Sequence, residues 1–127
     1  MTWLAVAVGG ALGSLARHGV NHLIHTRWPL MRFPLATLAV NVAGCLVVGL
    51  LAGLVISQRL TLRFSWREFL FVGVLGGFTT FSTFGLDTLT LVRQQAPAAA
   101  FWNVAAQVGL GLLAVHLGLL IGARAAP

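Results

Sequence analysis

Acidic groups are nearly missing from this chain. Glu68 and Asp87 are the only two in 127 residues, lysine is absent, and all eight basic residues are arginine. Charged residues make up 8% of the sequence and hydrophobic ones 58%, where a soluble protein carries about 25% charge. A surface kept in water needs a mixed coat of at least roughly that density, so a soluble fold is excluded and a bilayer must replace the coat. The formal charge of +6 does not indicate nucleic acid. A nucleic-acid patch needs basic residues clustered on one face, and here they lie between apolar blocks. The single cysteine, Cys45, excludes a disulfide framework, a paired-thiol metal site and a thiol redox pair. Its place in an apolar run points to a structural role. No cleavable leader is expected, because Met1 to Gly13 lacks a basic start and its apolar character outlasts a signal segment.

Long uncharged runs are what the sequence has in quantity, and about 20 apolar residues suffice to cross a hydrocarbon core. Phe33 to Ile56 carries no charge, and Ala96 to Ala123 carries only His116, read as a packed neutral imidazole. Trp66 to Leu86, after Arg67 and Glu68, is expected to continue past Asp87 to Val92. Thr2 to Ala16 is shorter and reaches spanning length only through Arg17 and His18 to Ile24. These runs predict an all-α membrane protein, a single integral domain over residues 1–127 with four transmembrane helices near 3–24, 33–56, 67–92 and 98–123. Pro29 and Pro34 punctuate the first connector, since each disfavours helix at the residue before it. Trp3, Trp28, Trp66 and Trp102 fall near span ends, the depth that amphipathic rings favour.

Arginine in the loops sets membrane orientation. One side receives Arg59, Arg63, Arg67 and Arg124, the other Arg17, Arg27, Arg32 and Arg93. The balance predicts insertion in both orientations. Gly9 and Gly13, Gly49 and Gly53, Gly73 and Gly77, and Gly118 and Gly122 each stand four apart, one pair per span. Small residues at that spacing let helix backbones approach in lipid.

A polar group left unsatisfied in a bilayer costs several kcal/mol, so each one needs a partner or a task. Asn41 lies in Thr37-x-x-x-Asn41-x-x-Gly44 and shares a helix face with Thr37. It is either a helix-to-helix hydrogen bond, worth on the order of 1 kcal/mol, or a functional amide. Gly76-Gly77-Phe78-Thr79-Thr80-Phe81-Ser82-Thr83-Phe84 sets two glycines and four hydroxyls in the third span. Each glycine costs about 1 kcal/mol in a helix, and Ser and Thr compete for local backbone bonds. The expectation is a third helix broken at mid-membrane, its freed carbonyls forming an oxygen-rich cation site. The alternative is an intact helix whose hydroxyls bond back to its own carbonyls. Phe81 and Phe84 are three apart, and the positive edges of their rings can attract an anion. An aromatic stripe in a span can equally be lipid-facing or core.

These two segments, with the opening Gly9-Gly10-x-x-Gly13-x-x-x-Arg17, resemble the CrcB/Fluc fluoride channels over the whole chain. The resemblance implies an antiparallel dual-topology homodimer in the cytoplasmic (inner) membrane, with two fluoride pathways along the subunit interface and one buried sodium ion at its centre. It implies passive export that lowers intracellular fluoride, and no enzymatic activity. The partners so implied are fluoride, a second copy and the bilayer. Carried over, Asn41 is the pore amide donor, and Phe81 and Phe84 turn ring edges to the anion. Gly76 and Thr79 give backbone carbonyls to sodium. Thr37, Ser82 and Thr83 are hydroxyl donors along the path, and Arg17 serves a vestibule or braces a helix end. The chain departs from the family in its fourth span, where Gly111 and Leu112 stand in place of a Ser or Thr on the anion track. Asn103 and Gln107, four apart on one face, are the candidates for the missing donors.

Two other readings remain open on the residues. A small multidrug-type four-span cation exporter needs a membrane carboxylate, and Asp87 is the only acid inside a span. A non-transporting assembly subunit needs only the glycine pairs and a lone Asn. No catalytic constellation is evident.

Overall fold

A computed structural model describes residues Thr2–Arg124, so Met1 and residues 125–127, the ends of the expected 1–127 domain, lie outside the described residues. All regular structure among the described residues is helical. Helix α1 spans Thr2–Arg27 and α2 spans Leu35–Ile56. The third apolar stretch is composite. It starts as a short α3 (Phe64–Arg67), widens into a π-helical stretch over Glu68–Leu75 and closes with α4 (Gly76–Phe78). Thr79 and Thr80 are extended, with φ/ψ of −82°/161° and −153°/115°, and α5 (Phe81–Arg93) follows. Helix α6 runs Pro97–Arg124.

Among the described residues, three stretches are long and apolar enough to cross a membrane: Leu35–Ile56, Phe64–Arg93 and Pro97–Arg124. Helix α1 has the length, about 39 Å at 1.5 Å per residue. Arg17, His18, His22 and His25 dilute its apolar character.

The packing has two seams, and glycine makes both. Along the first, α1 lies on the π-helical stretch and α4: a Cβ on Gly9 would meet the Phe69 carbonyl oxygen at 2.6 Å, and one on Gly77 the Gly10 oxygen at 2.5 Å. Along the second, α2 lies on α6, where Gly49 faces the Val115 carbonyl, Gly118 that of Leu46 and Gly122 that of Leu50. The paired glycines thus bring backbone against backbone, the contact that replaces hydrophobic drive where the solvent is itself apolar. The side-chain core is correspondingly thin, with Val40 and Asn103 the largest fully buried side chains. Leucines, valines and tryptophans cover the outside.

Two helix ends close the same way. After α2, Gln58 N–H donates to Val55 O and Arg59 N–H to Leu54 O; after α5, Gln95 N–H donates to Val92 O and Ala96 N–H to Leu91 O. Both are Schellman caps. Each puts a glutamine at φ 58°, a left-handed conformation that glycine adopts without steric cost.

Gly118→Val drives a branched side chain into the α2 backbone and is expected to cost about 1–3 kcal/mol, read as a lower unfolding temperature in detergent. Gln95→Gly is expected to act oppositely, raising stability by up to roughly 1 kcal/mol in the same melt.

Candidate functional site

The gap between α4 and α5 exposes backbone groups that a continuous helix would satisfy, and side chains from α1 and α2 take them up. Asn41 of α2 acts like a peptide unit set against Thr80. Its Oδ1 accepts the Thr80 N–H at 2.8 Å, and its Nδ2 donates to the Thr80 carbonyl at 3.0 Å. The second Nδ2 hydrogen goes to Gln107 Oε1 of α6, also at 3.0 Å. On the other side, Arg17 Nη1 donates to the Thr79 carbonyl at 3.3 Å, and Ser14 Oγ lies 3.5 Å from the Gly77 carbonyl. Thr80 also starts α5, its Oγ1 accepting the Thr83 N–H at 3.3 Å and donating to Thr83 Oγ1 at 2.9 Å. Gly44, one turn below Asn41, leaves room for the Thr79 methyl, which a Cβ at that position would strike.

An open cavity of about 420 Å³ lies against this gap. Asn41, Gly76, Thr79, Phe81, Phe84 and Gln107 line it, together with Thr80, Cys45 and Phe71. Phe81 and Phe84 meet edge to face, ring centroids 5.4 Å apart at 62°. Phe81 is 83% exposed, so a ring at the edge of this cavity stands uncovered in the single chain.

Thr37 and Thr83 lie elsewhere. They line a second cavity of about 240 Å³ with Asp87, Asn21, His25 and Arg32. Thr37 Oγ1 donates to Asp87 Oδ2 at 2.6 Å, tying α2 to α5. Ser82 is exposed beside Thr80 Oγ1, 3.4 Å away. Asn103 is fully buried and lines neither cavity. Its Nδ2 donates to Thr88 Oγ1 at 2.9 Å, and the Thr88 hydroxyl donates to the Phe84 carbonyl at 2.8 Å. Sequence reasoning did not single out Thr80, although the unusual density of hydroxyls around it was visible. Asp87, which the sequence offers only as an exporter's acid, is here the acceptor for Thr37.

Two backbone oxygens at the gap stand outside the helical ladder. In an α-helix the Gly76 oxygen would receive the Thr80 N–H, and here Asn41 takes that hydrogen. Thr79 is extended, so its oxygen leaves the helical ladder, and the guanidinium of Arg17 already engages it. Neutral backbone oxygens are the donors expected for an alkali cation. No cluster of three or more His, Cys, Asp or Glu competes for a metal among the described residues.

Asn41→Leu removes the partners of Thr80 N–H, Thr80 C=O and Gln107 at one stroke. A loss of about 1–3 kcal/mol is expected, read as a lower unfolding temperature, with faster hydrogen exchange at Thr80.

A model of the family described as "CrcB-like protein, Camphor Resistance (CrcB)" matches residues 4–119. The chain is 51% identical over 124 residues to "Fluoride-specific ion channel FluC" of Paracoccus denitrificans (strain Pd 1222), covering 95% of this chain and 94% of that protein. The protein of the same name from Azotobacter vinelandii (strain DJ / ATCC BAA-1303) is 48% identical over 118 residues, 93% of this chain and 94% of that one. That of Methylobacillus flagellatus (strain ATCC 51484 / DSM 6875 / VKM B-1610 / KT) is 45% identical over 116 residues, 91% and 89% of the two chains. With its match to the family model over residues 4–119 and these relatives along nearly its full length, the chain belongs to the CrcB-like family.

Proposed function

We propose that the chain is a fluoride channel, not an enzyme, through which fluoride leaves the cell passively across the cytoplasmic (inner) membrane, lowering intracellular fluoride. Its relatives carry the name of fluoride-specific ion channels, which does not favour the exporter or assembly-subunit readings. The observation that carries the proposal is the Asn41-locked gap with Phe81 and Phe84 on one cavity. An unpaired ion in a low-dielectric medium faces tens of kcal/mol, so a conduit must replace the water shell with oriented dipoles. Amide hydrogens, hydroxyls and ring edges do this without a fixed counter-charge, and binding stays weak enough to release the ion. Phe81 and Phe84 narrow the path, and a small anion gathers close donors that a larger halide cannot approach together. Ser82 and Thr83 extend the donor line toward the second cavity, where Thr37 gives its one hydroxyl hydrogen to Asp87 and holds α2 to α5. Asn103 acts on the path through Thr88 and the Phe84 carbonyl, and Arg17 braces the gap at Thr79.

The working unit in this proposal has four spans per chain, α1 included, with the third helix broken at mid-membrane. Two chains of opposite orientation pair as an antiparallel homodimer. The balanced arginines support dual insertion. An open cavity in which Gln107 lies with its Nε2 unpartnered supports a second copy as its cover, because lipid offers that group no acceptor. Gly76 and Thr79 carbonyls of both copies would hold a sodium ion, which when bound supplies a fixed positive charge that ties the two gaps together.

Purified protein in fluoride-loaded liposomes, followed with a fluoride-selective electrode, tests the reading. Wild type is expected to release fluoride, and Phe81→Ile or Phe84→Ile to slow release by roughly tenfold or more. Wild type without flux would refute the channel, and unchanged flux in both variants would refute the aromatic path.

A further inference from the structure

We infer that the flank of the α2–α6 pair turned away from the Asn41 cavity seats one anionic phospholipid, an acyl chain in its groove and the phosphate on Arg124. The inference goes beyond the channel reading and does not depend on which ion passes. Two shallow apolar cavities, of about 410 and 420 Å³, lie along α6 and share Leu117. The first sets Ala39, Ala43 and Leu46 of α2 opposite Leu113 and Ala114 of α6, and the second continues to Arg124. At 3.6 residues per turn, Leu46 lies about 140° around α2 from Asn41. Gly49, which meets α6 at Val115, falls between them. The groove and the Asn41 cavity therefore occupy opposite flanks of one seam, and a second copy closing the cavity leaves the groove to the bilayer.

The shape of the groove suits a flexible chain better than a helix. A docking helix in lipid needs small residues for close backbone approach, or polar groups to bond. Gly49, Gly53, Gly118 and Gly122 are already spent on the seam. Half-exposed Leu46, Leu113 and Leu117 stand along the groove and hold a second helix off, and no polar side chain lines it before Arg124. Methylene groups can settle between those leucines, over the alanines. From Leu110 to Arg124 the groove follows about 21 Å of helix. One leaflet of hydrocarbon is roughly 15 Å deep, so a whole acyl chain fits below the arginine.

Charge selects the headgroup. Arg124 stands in the last turn of α6, and Ser57 Oγ, 3.5 Å from the Gly122 carbonyl, brings the end of α2 beside it. Arg59 follows at once, its N–H bonded to the Leu54 carbonyl, so this end of the pair is basic. The two acids of the chain lie elsewhere. Asp87 is bound to Thr37 near the start of α2, the opposite end of the pair, and Glu68 belongs to the π-helical stretch, which packs on α1 and not on α6. A phosphate diester supplies the missing anion, and a guanidinium pairs with it through two charge-assisted hydrogen bonds. A zwitterionic headgroup carries its own cation to compete for that phosphate; an anionic one does not.

Purified protein in detergent would be given phosphatidylglycerol or phosphatidylcholine with the same acyl chains, and the lipid retained per chain counted by mass spectrometry of the intact complex. Wild type is expected to keep one phosphatidylglycerol per chain, about fivefold over phosphatidylcholine. Arg124→Gln is expected to erase that preference, and Ala43→Phe, which fills the groove at an exposed position, to expel both lipids. Equal retention of the two lipids by wild type, or an undiminished preference in Arg124→Gln, would overturn the headgroup assignment. Full retention in Ala43→Phe would overturn the groove. Wild type that keeps no lipid, with Ala43→Phe splitting its oligomer in gel filtration, would give this flank to a second copy instead. If one variant fails to fold, the other decides. No reading here uses fluoride, so failure of the channel proposal and failure of this one are told apart.

Discussion

Backbone groups freed inside an apolar medium must find partners, and this requirement governs the protein. A helix satisfies every such group from within, so an interruption can persist only where something else supplies the missing bonds. At Thr79 and Thr80 the supply comes from outside the segment: an amide on α2 takes both the N–H and the C=O of Thr80, and a guanidinium on α1 takes the carbonyl of Thr79. Extended backbone, a Gly76 carbonyl without the Thr80 N–H, a fresh helix start at Phe81 and the placing of two rings all go with those few bonds.

Side chains can reach the gap only if the helices stand close, and closeness is what the glycines provide. One seam sets α1 against the π-helical stretch, and the other sets α2 against α6. The first brings Ser14 and Arg17 to the end of α4, and the second brings Gln107 up to Asn41. Bulkier residues along either seam would separate the backbones, and hydrogen bonds of about 3 Å do not stretch. Packing and polar satisfaction are therefore one problem in this fold. The π-helical turns belong to the same picture, since such turns gather at functional places in helices and this one ends where the glycine pair begins.

Much of this was legible along the chain. The apolar runs located the helices to within a few residues, and the glycine pairs marked the faces in close contact. The density of glycine and hydroxyls between Gly76 and Thr83 pointed to the region where α4 ends and α5 starts. Asn41 was suspect because it lies in a charge-free run. The widening at Glu68–Leu75 left no local signal, as π turns are set by packing against a neighbour. Asn103 and Gln107 looked equivalent, both amides on one helix face, yet one bonds Thr88 on α5 and the other Asn41 on α2.

Composition and periodicity by themselves determined that this chain is helical and adapted to lipid, because charge density and apolar run length act locally and need no knowledge of what lies opposite. Which polar atoms were already committed was decided only in three dimensions. A hydrogen bond joins residues as far apart in sequence as Asn41 and Gln107, and whether a donor is spent or free depends on the group that the fold sets in front of it.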